Sequence, residues 1–292
     1  MSETIPLERG AAQESWSRAA HRGRRILMWL FVVGVFAFLY APMAVMSVFS
    51  VNASKVQTLP FSGFTGEWYR ALFHDAPMQD AIRFGLQVSV TTVVVGAIVG
   101  VYLALVVDRL AFPGKNVFQA LVAVPLGLPG IVLGISLVLV FRAVGIAPGY
   151  VTIVAGHATF VTPLIMFVVL QRLRSFDRNL EHASMDLGAG WLRTFWHVTL
   201  PEIRLAVIAG CLLGFTLSFD EITVTLFLAG NQLTLPVFVW NLLRFGFTPE
   251  VNAAFTIIGT LSIVSIIAAV VLVTRSRPRR RSRNVMAEEA IT

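Results

Sequence analysis

Cysteine is almost missing: Cys211 is the only one in 292 residues, so no disulfide can form within the chain. It lies in an apolar run and reads as a small packed side chain. Charge is scarce too, at 13% of residues against 56% hydrophobic, a balance that excludes an ordinary soluble domain. The five histidines, His21, His74, His157, His182 and His197, show no metal-binding spacing, and no Gly-x-Ser-x-Gly elbow occurs. His157 reads as a packed or interface histidine. A phosphate-cradling loop is also lacking: Pro113-Gly114-Lys115-Asn116 has neither the first glycine nor the hydroxyl such a loop needs. The chain is expected not to be an enzyme, to bind no cofactor or metal, and to leave any ATP hydrolysis to another chain.

Long apolar runs are abundant. Those near 26–50, 86–107, 117–140, 150–170, 205–229 and 251–274 each approach or exceed the roughly 20 residues that cross about 30 Å of hydrocarbon. The expectation is an all-α polytopic membrane protein with six transmembrane helices. Pro42, Pro125, Pro129 and Pro163 fall inside these runs and read as kinks that neighbouring helices accommodate. With the N-terminus inside, the external segments hold only Lys55, Arg70, Arg83, Arg142 and Arg244 among the basic residues, and the internal ones hold the rest. That bias places both termini in the cytoplasm. Topology thus accounts for a pI near 10.5 without a nucleic-acid partner, and the RSRPRRRSR tail reads as an anchor against anionic membrane lipid. The first run is preceded by about 25 polar residues and outlasts a secretory h-region, so it reads as an uncleaved signal anchor.

The run LSFDEITVTLFLAG, 217–230, carries the two carboxylates that lie deep in a predicted span, Asp220 and Glu221. A charge at the centre of a membrane helix costs roughly 2.5–3.5 kcal/mol, so the pair must face protein, water or a ligand. Counted from Leu205, Asp220 lies roughly 23 Å along a helix, in the outer half of the membrane. Neighbouring side chains point about 100° apart, so the pair needs either a local break or a division of labour between the two. Asp220 is the better candidate for a substrate pathway. An inter-helix contact is an equal reading for Glu221.

The loop LRSFDRNLEHASMDLGAGWLRTFWHVTLPEIR, 173–204, is too patterned for a passive connector. Leu180, Ala183, Ser184 and Leu187 share one helix face, and Trp191, Thr194, Phe195 and Val198 share another. Gly188 and Gly190 separate the two short helices, and Leu200-Pro201 ends the second or opens the next. The pair forms a knob for a partner's groove or lies on lipid.

This loop resembles that of the permease subunits of bacterial ABC importers, whose signature is Glu-Ala-Ala, three residues, Gly, nine residues, Ile-x-Leu-Pro. Gly188 and the run Val198, Thr199, Leu200, Pro201 match the spacing; His182, Ala183 and Ser184 fall on the triplet, with Glu181 one residue early. The displacement turns Glu181 about 100° from the family's position. The resemblance is nearest to the spermidine/putrescine branch and extends through FSGFTGEWYRALF (61–73), PLGLPGIVLGISLVL (125–139), HATFVTPLIM (157–166), EHASMDLGAG (181–190), LSFDE (217–221) and TLPVFVWNLLRFGFTPEVNA (234–253). It implies a type I ABC importer permease fold in the bacterial inner membrane. The implied partners are a pair of ATPase subunits holding ATP and Mg, a second permease and a periplasmic substrate-binding protein. Glu181, His182, Ala183, Ser184, Gly188, Leu200 and Pro201 are the expected ATPase-coupling residues. The chain divides into a cytoplasmic tail (1–25), a first span with its external loop (26–83), a permease core (84–274) and a basic tail (275–292). Cargo stays open between a polyamine or related amine, for which Asp220 and Glu221 speak, and an aminophosphonate, opine or other zwitterionic or anionic solute. Arg142 or Arg244 would line the pathway for the latter. A secondary transporter or channel is a third reading, disfavoured by the glycine elbow and by the lack of an inverted repeat.

Overall fold

A computed structural model describes residues 7–54, 61–245 and 249–276. The basic tail beyond Ser276, Lys55 and the centre of the Phe245–Pro249 connection lie outside the described residues. In chain order the helices are α1 (Leu7–Phe49), α2 (Glu67–His74), α3 (Ala76–Arg109), α4 (Lys115–Gly127), α5 (Gly130–Ala143), α6 (Tyr150–Arg174) and α7 (Asn179–Asp186). Then come α8 (Trp191–Thr194), a π-helical turn (Phe195–Thr199), α9 (Leu200–Phe219), α10 (Thr223–Leu228), α11 (Leu235–Phe245) and α12 (Pro249–Ser276). No strand occurs among the described residues, only an isolated bridge between Asn52 and Phe64.

Among the described residues, five helices are long and apolar enough to cross a membrane: Gly23–Phe49, Ala76–Arg109, Tyr150–Arg174, Trp191–Phe219 and Pro249–Leu272. The expected third span is not one helix: α4 and α5 meet at 106°, and the count reaches six only if that pair is one span. The cause is local. Pro129 disfavours helical backbone at the preceding residue, and Leu128 is extended, with φ −79° and ψ 139°. Pro125, Pro163 and Pro42 sit inside α4, α6 and α1, which continue past them. The expected fifth span is interrupted as well, since α9 stops at Phe219 and α10 resumes at Thr223. Conversely, the second short loop helix does not stop at Leu200-Pro201. The Leu200 N–H reaches back to the Phe195 carbonyl, one residue farther than in an α-helix. That wider turn absorbs the missing N–H of Pro201 and carries α8 into α9.

The bundle is centred on α3, α6 and α9, whose Val88, Val161, Ile165, Met166, Val169, Leu170 and Ile203 form one buried cluster. Small residues let these helices approach closely. A Cβ on Gly100 would stand 2.9 Å from the Thr162 carbonyl oxygen and 3.1 Å from the Met166 nitrogen, both backbone atoms that cannot swing aside. Gly100→Ala is therefore expected to cost about 1–3 kcal/mol, measured as a lower thermal-unfolding midpoint of the purified protein. Gly34→Ala, with nothing near its added methyl, is the control and should leave that midpoint unchanged. A second cluster at the opposite end from the 173–204 loop packs Trp68 and Leu72 of α2 against Val251, Ala254 and Ile258 of α12. Trp68 Nε1 fixes α2 by donating to the Asn52 carbonyl at 2.7 Å.

Candidate functional site

Two sequence-predicted sites lie at opposite ends of α9, whose 20 residues span roughly 30 Å. The structure does not bring them together. At one end is the 173–204 loop. α7 ends in a complete Schellman motif: Gly188 adopts φ +86°, its N–H donates to the Met185 carbonyl at 2.9 Å, and the Ala189 N–H donates to the Ser184 carbonyl at 3.1 Å. Ser184 and Thr194 hydroxyls, 3.0 Å apart, then tie α7 to α8 across the elbow. His182, Ala183 and Pro201 are exposed and Leu200 is half-buried.

Glu181 and its neighbours part company. Glu181 is 2% exposed while Leu187 is 89% exposed, with Leu180, Trp191, Leu192 and Trp196 also open to the surroundings. The displaced carboxylate faces its own chain: Arg109, in the last turn of α3, and the Thr199 hydroxyl both donate to Oε1. Arg178 donates to Asp108 Oδ2 at 2.9 Å and to the Asp108 carbonyl at 3.1 Å. Asp108, Arg109 and Arg178 were not singled out from sequence. The partners are 70 and 72 residues apart, so no local spacing links them. What remains exposed on the knob mixes these apolar and aromatic side chains with His182, Asp186, Arg193 and His197, and aromatic and arginine side chains together are common at docking faces.

At the other end, the break between α9 and α10 separates the two carboxylates. Asp220 caps α9, and its Oδ2 accepts from Ser262 Oγ at 2.5 Å. Ser262 lies near the middle of α12, which sets the carboxylate at membrane depth. Asp220 Oδ1 is buried without a partner. Glu221 turns to its own chain, where Oε1 accepts from the Val224 N–H at 2.8 Å in the first turn of α10. His157, fully buried on α6, spans the break. Its Nδ1 lies 2.8 Å from Ser218 Oγ and its Nε2 lies 2.9 Å from Thr225 Oγ1. The Thr225 hydroxyl donates to the Glu221 carbonyl at 2.9 Å, so it accepts from Nε2–H, and Nδ1 accepts from Ser218. The packed-histidine reading thus gains a definite task, holding both sides of the interruption in register.

Beyond the break, a cavity of about 550 Å³ opens at the far end of the bundle. The first turns of α3 form one wall, with Pro77, Asp80, Arg83 and Gln87, and the connection from α10 to α11 forms the other, with Asn231 and Gln232. Arg142 and Arg244 line neither this cavity nor the break; both are exposed, and Arg244 lies over the Trp240 ring at 6.0 Å. No cluster of histidine, cysteine or carboxylate fit to hold a metal occurs among the described residues.

The chain is 38% identical over 255 residues to the putrescine transport system permease protein PotI of Escherichia coli, covering 84% of this chain and 90% of that one. It is 33% identical over 246 residues to the spermidine/putrescine transport system permease protein PotC of Escherichia coli, covering 84% and 93%. Among solved structures, a chain from a bacterial ABC transporter involved in the import of the acidic polysaccharide alginate superposes with TM-score 0.62 at 15% identity, covering 92% of this chain and all of that one. That likeness is one of fold. The described relatives are transport subunits, not enzymes, and the family model for the inner membrane component of binding-protein-dependent transport systems matches residues 93–282. With its apolar spans, its interrupted fifth span and its glycine-hinged loop, the chain belongs to that family of inner-membrane transport components.

Proposed function

We propose that this subunit carries polyamines or related small amines inward. Cargo arrives from a periplasmic binding protein, and a pair of ATPase subunits holding ATP and Mg docks on the 173–204 loop. A second permease completes the pathway, lipid covers the outer apolar faces, and both termini face the cytoplasm. The observation that carries the cargo is Asp220: a carboxylate at membrane depth, with one oxygen on Ser262 and the other buried and unpaired. Among the described residues no basic side chain pairs with it. A substrate ammonium supplies the missing donor and the missing charge together. Glu221, whose carboxylate caps α10, adds negative potential beside it. The names of the similar permeases, which cite putrescine and spermidine, point the same way.

The test is uptake of putrescine and spermidine by complexes reconstituted with binding protein and ATPase. Asp220→Asn should lower uptake per ATP about tenfold, the loss of one charge-assisted contact, while ATP hydrolysis continues. Glu221→Gln should lower it about twofold, because an amide oxygen still caps α10. Unchanged uptake in both variants, or a preference for an anionic solute, overturns the cationic reading.

A further inference from the structure

We infer that the break between α4 and α5 is the second half of the amine site: the backbone carbonyls of Pro125, Leu126 and Gly127 accept N–H groups of a substrate ammonium beside Asp220. This rests on the amine cargo proposed above. The carbonyls are open for a local reason. A helix carbonyl accepts from the N–H three or four residues on, and Pro129 has none to give to Leu126 or Pro125. Leu128 is extended, and among the described residues no capping N–H closes the last turn of α4. The first backbone bond past the break goes instead to the Pro129 carbonyl, from the Leu133 N–H at 3.1 Å. With α5 turned by 106°, its leading N–H groups do not reach back to α4.

The depth of the break decides what these carbonyls face. α4 runs roughly 20 Å over its 13 residues before it stops. A Cβ on Gly130 would stand 3.1 Å from Thr223 Cβ, and one on Gly134 would stand 2.6 Å from Phe227 Cδ2. The second pair lies four residues beyond the first on both helices, so α5 and α10 run parallel with their starts level. The α4–α5 break therefore lies beside the break that holds Asp220 and Glu221. Leu126, Gly127, Leu128 and Pro129 are all exposed on this chain. Hydrocarbon offers open carbonyls no donor, so at this depth, next to Asp220, the stretch lines the watered pathway. The charge is of one sign. α4 presents the negative end of its dipole here, while the positive ends of α5 and α10 come together where Glu221 caps α10. What is left unmet is acceptor capacity: the α4 carbonyls and Asp220 Oδ1. An ammonium brings several N–H donors, more than one carboxylate oxygen can take, whereas a carboxylate or phosphonate would set oxygen against oxygen. The paired breaks thus select amines and turn anions away.

Backbone chemistry gives the test. In reconstituted complexes, replacing Leu128 by its α-hydroxy analogue turns the Gly127–Leu128 amide into an ester, whose carbonyl is a poorer acceptor. The Leu128 N–H serves no partner, so its loss should leave the thermal midpoint unchanged. Putrescine uptake per ATP should fall about fivefold, with ATP hydrolysis within about twofold. Unchanged uptake in the ester beside a fall in Asp220→Asn overturns the carbonyl site alone, and unchanged uptake in both overturns the amine reading beneath it. Lower uptake with a lower midpoint marks a packing role and also overturns the site. A second measurement leaves the backbone alone. Leu128→Cys in a Cys211→Ala background should react at least about fivefold faster with a cationic than with an anionic methanethiosulfonate, each rate taken relative to a free thiol. A thiol inert to both reagents, or one that favours the anion, overturns the inference.

Discussion

Gly188→Val should abolish productive coupling, lowering uptake per ATP more than about tenfold. An added Cβ at Gly188 meets nothing within 4 Å, so steric collision with neighbours contributes nothing. The cost lies in the backbone. At φ +86° a non-glycine residue loses roughly 1–2 kcal/mol, and a β-branched one more. α7 has only eight residues and stops on the two hydrogen bonds that this conformation permits. Relaxing it frees the Met185 and Ser184 carbonyls and changes the angle between α7 and α8, which disturbs the exposed face of the loop. Because the penalty is conformational, Gly188→Asn should retain most function, Gly188→Ala less and Gly188→Val least. The measurement is transport stoichiometry alongside co-purification of the ATPase. A ranking by side-chain volume alone, with Asn worse than Ala, would contradict the backbone argument.

His157→Leu should be the most damaging single change at the membrane break. It removes two buried hydrogen bonds and strands the Ser218 hydroxyl, at about 1–3 kcal/mol for each unsatisfied group. The Thr225 hydroxyl keeps its bond to the Glu221 carbonyl, so α10 itself should persist. The join between α9 and α10 should loosen and carry Asp220 off Ser262. Uptake is expected to fall at least about tenfold, with the thermal midpoint reduced. His157→Gln, which offers one donor and one acceptor, should recover part of both. If His157→Leu lowers the midpoint but leaves uptake per ATP intact, the histidine supports packing only.

The parts of this architecture that follow from short stretches of chain were the legible ones. Apolar length gave the spans, and Gly188 gave the elbow because glycine takes the left-handed conformation that stops a helix there at the least cost. The angle between adjacent side chains already called for a break or a division of labour at Asp220 and Glu221, and the chain leaves its helix there. The α4–α5 bend was not legible, because Pro42, Pro125 and Pro163 lie inside continuing helices, so a proline by itself does not tell a break from a tolerated kink. The Arg109–Glu181 ion pair escaped for a different reason. Arg109 and Glu181 meet only after α4, α5 and α6 have returned the chain to the same end, and no periodicity encodes that meeting. His157 was legible as buried but not as a bridge, since its partners Ser218 and Thr225 belong to a distant segment.

α1 buries none of its apolar window. Among the described helices it packs on α12, where Met43 overlies Gly259 and the Thr256 hydroxyl reaches Ser47 at 3.4 Å. α1 and α12, at opposite ends of the described helices, are therefore neighbours. Throughout synthesis α1 waits in the bilayer with no seat, while α3, α6 and α9 have one another as soon as they emerge. A chain cut short before Pro249 therefore carries a lone α1 whose landing surface was never made, and that unmet apolar surface marks it for a membrane protease.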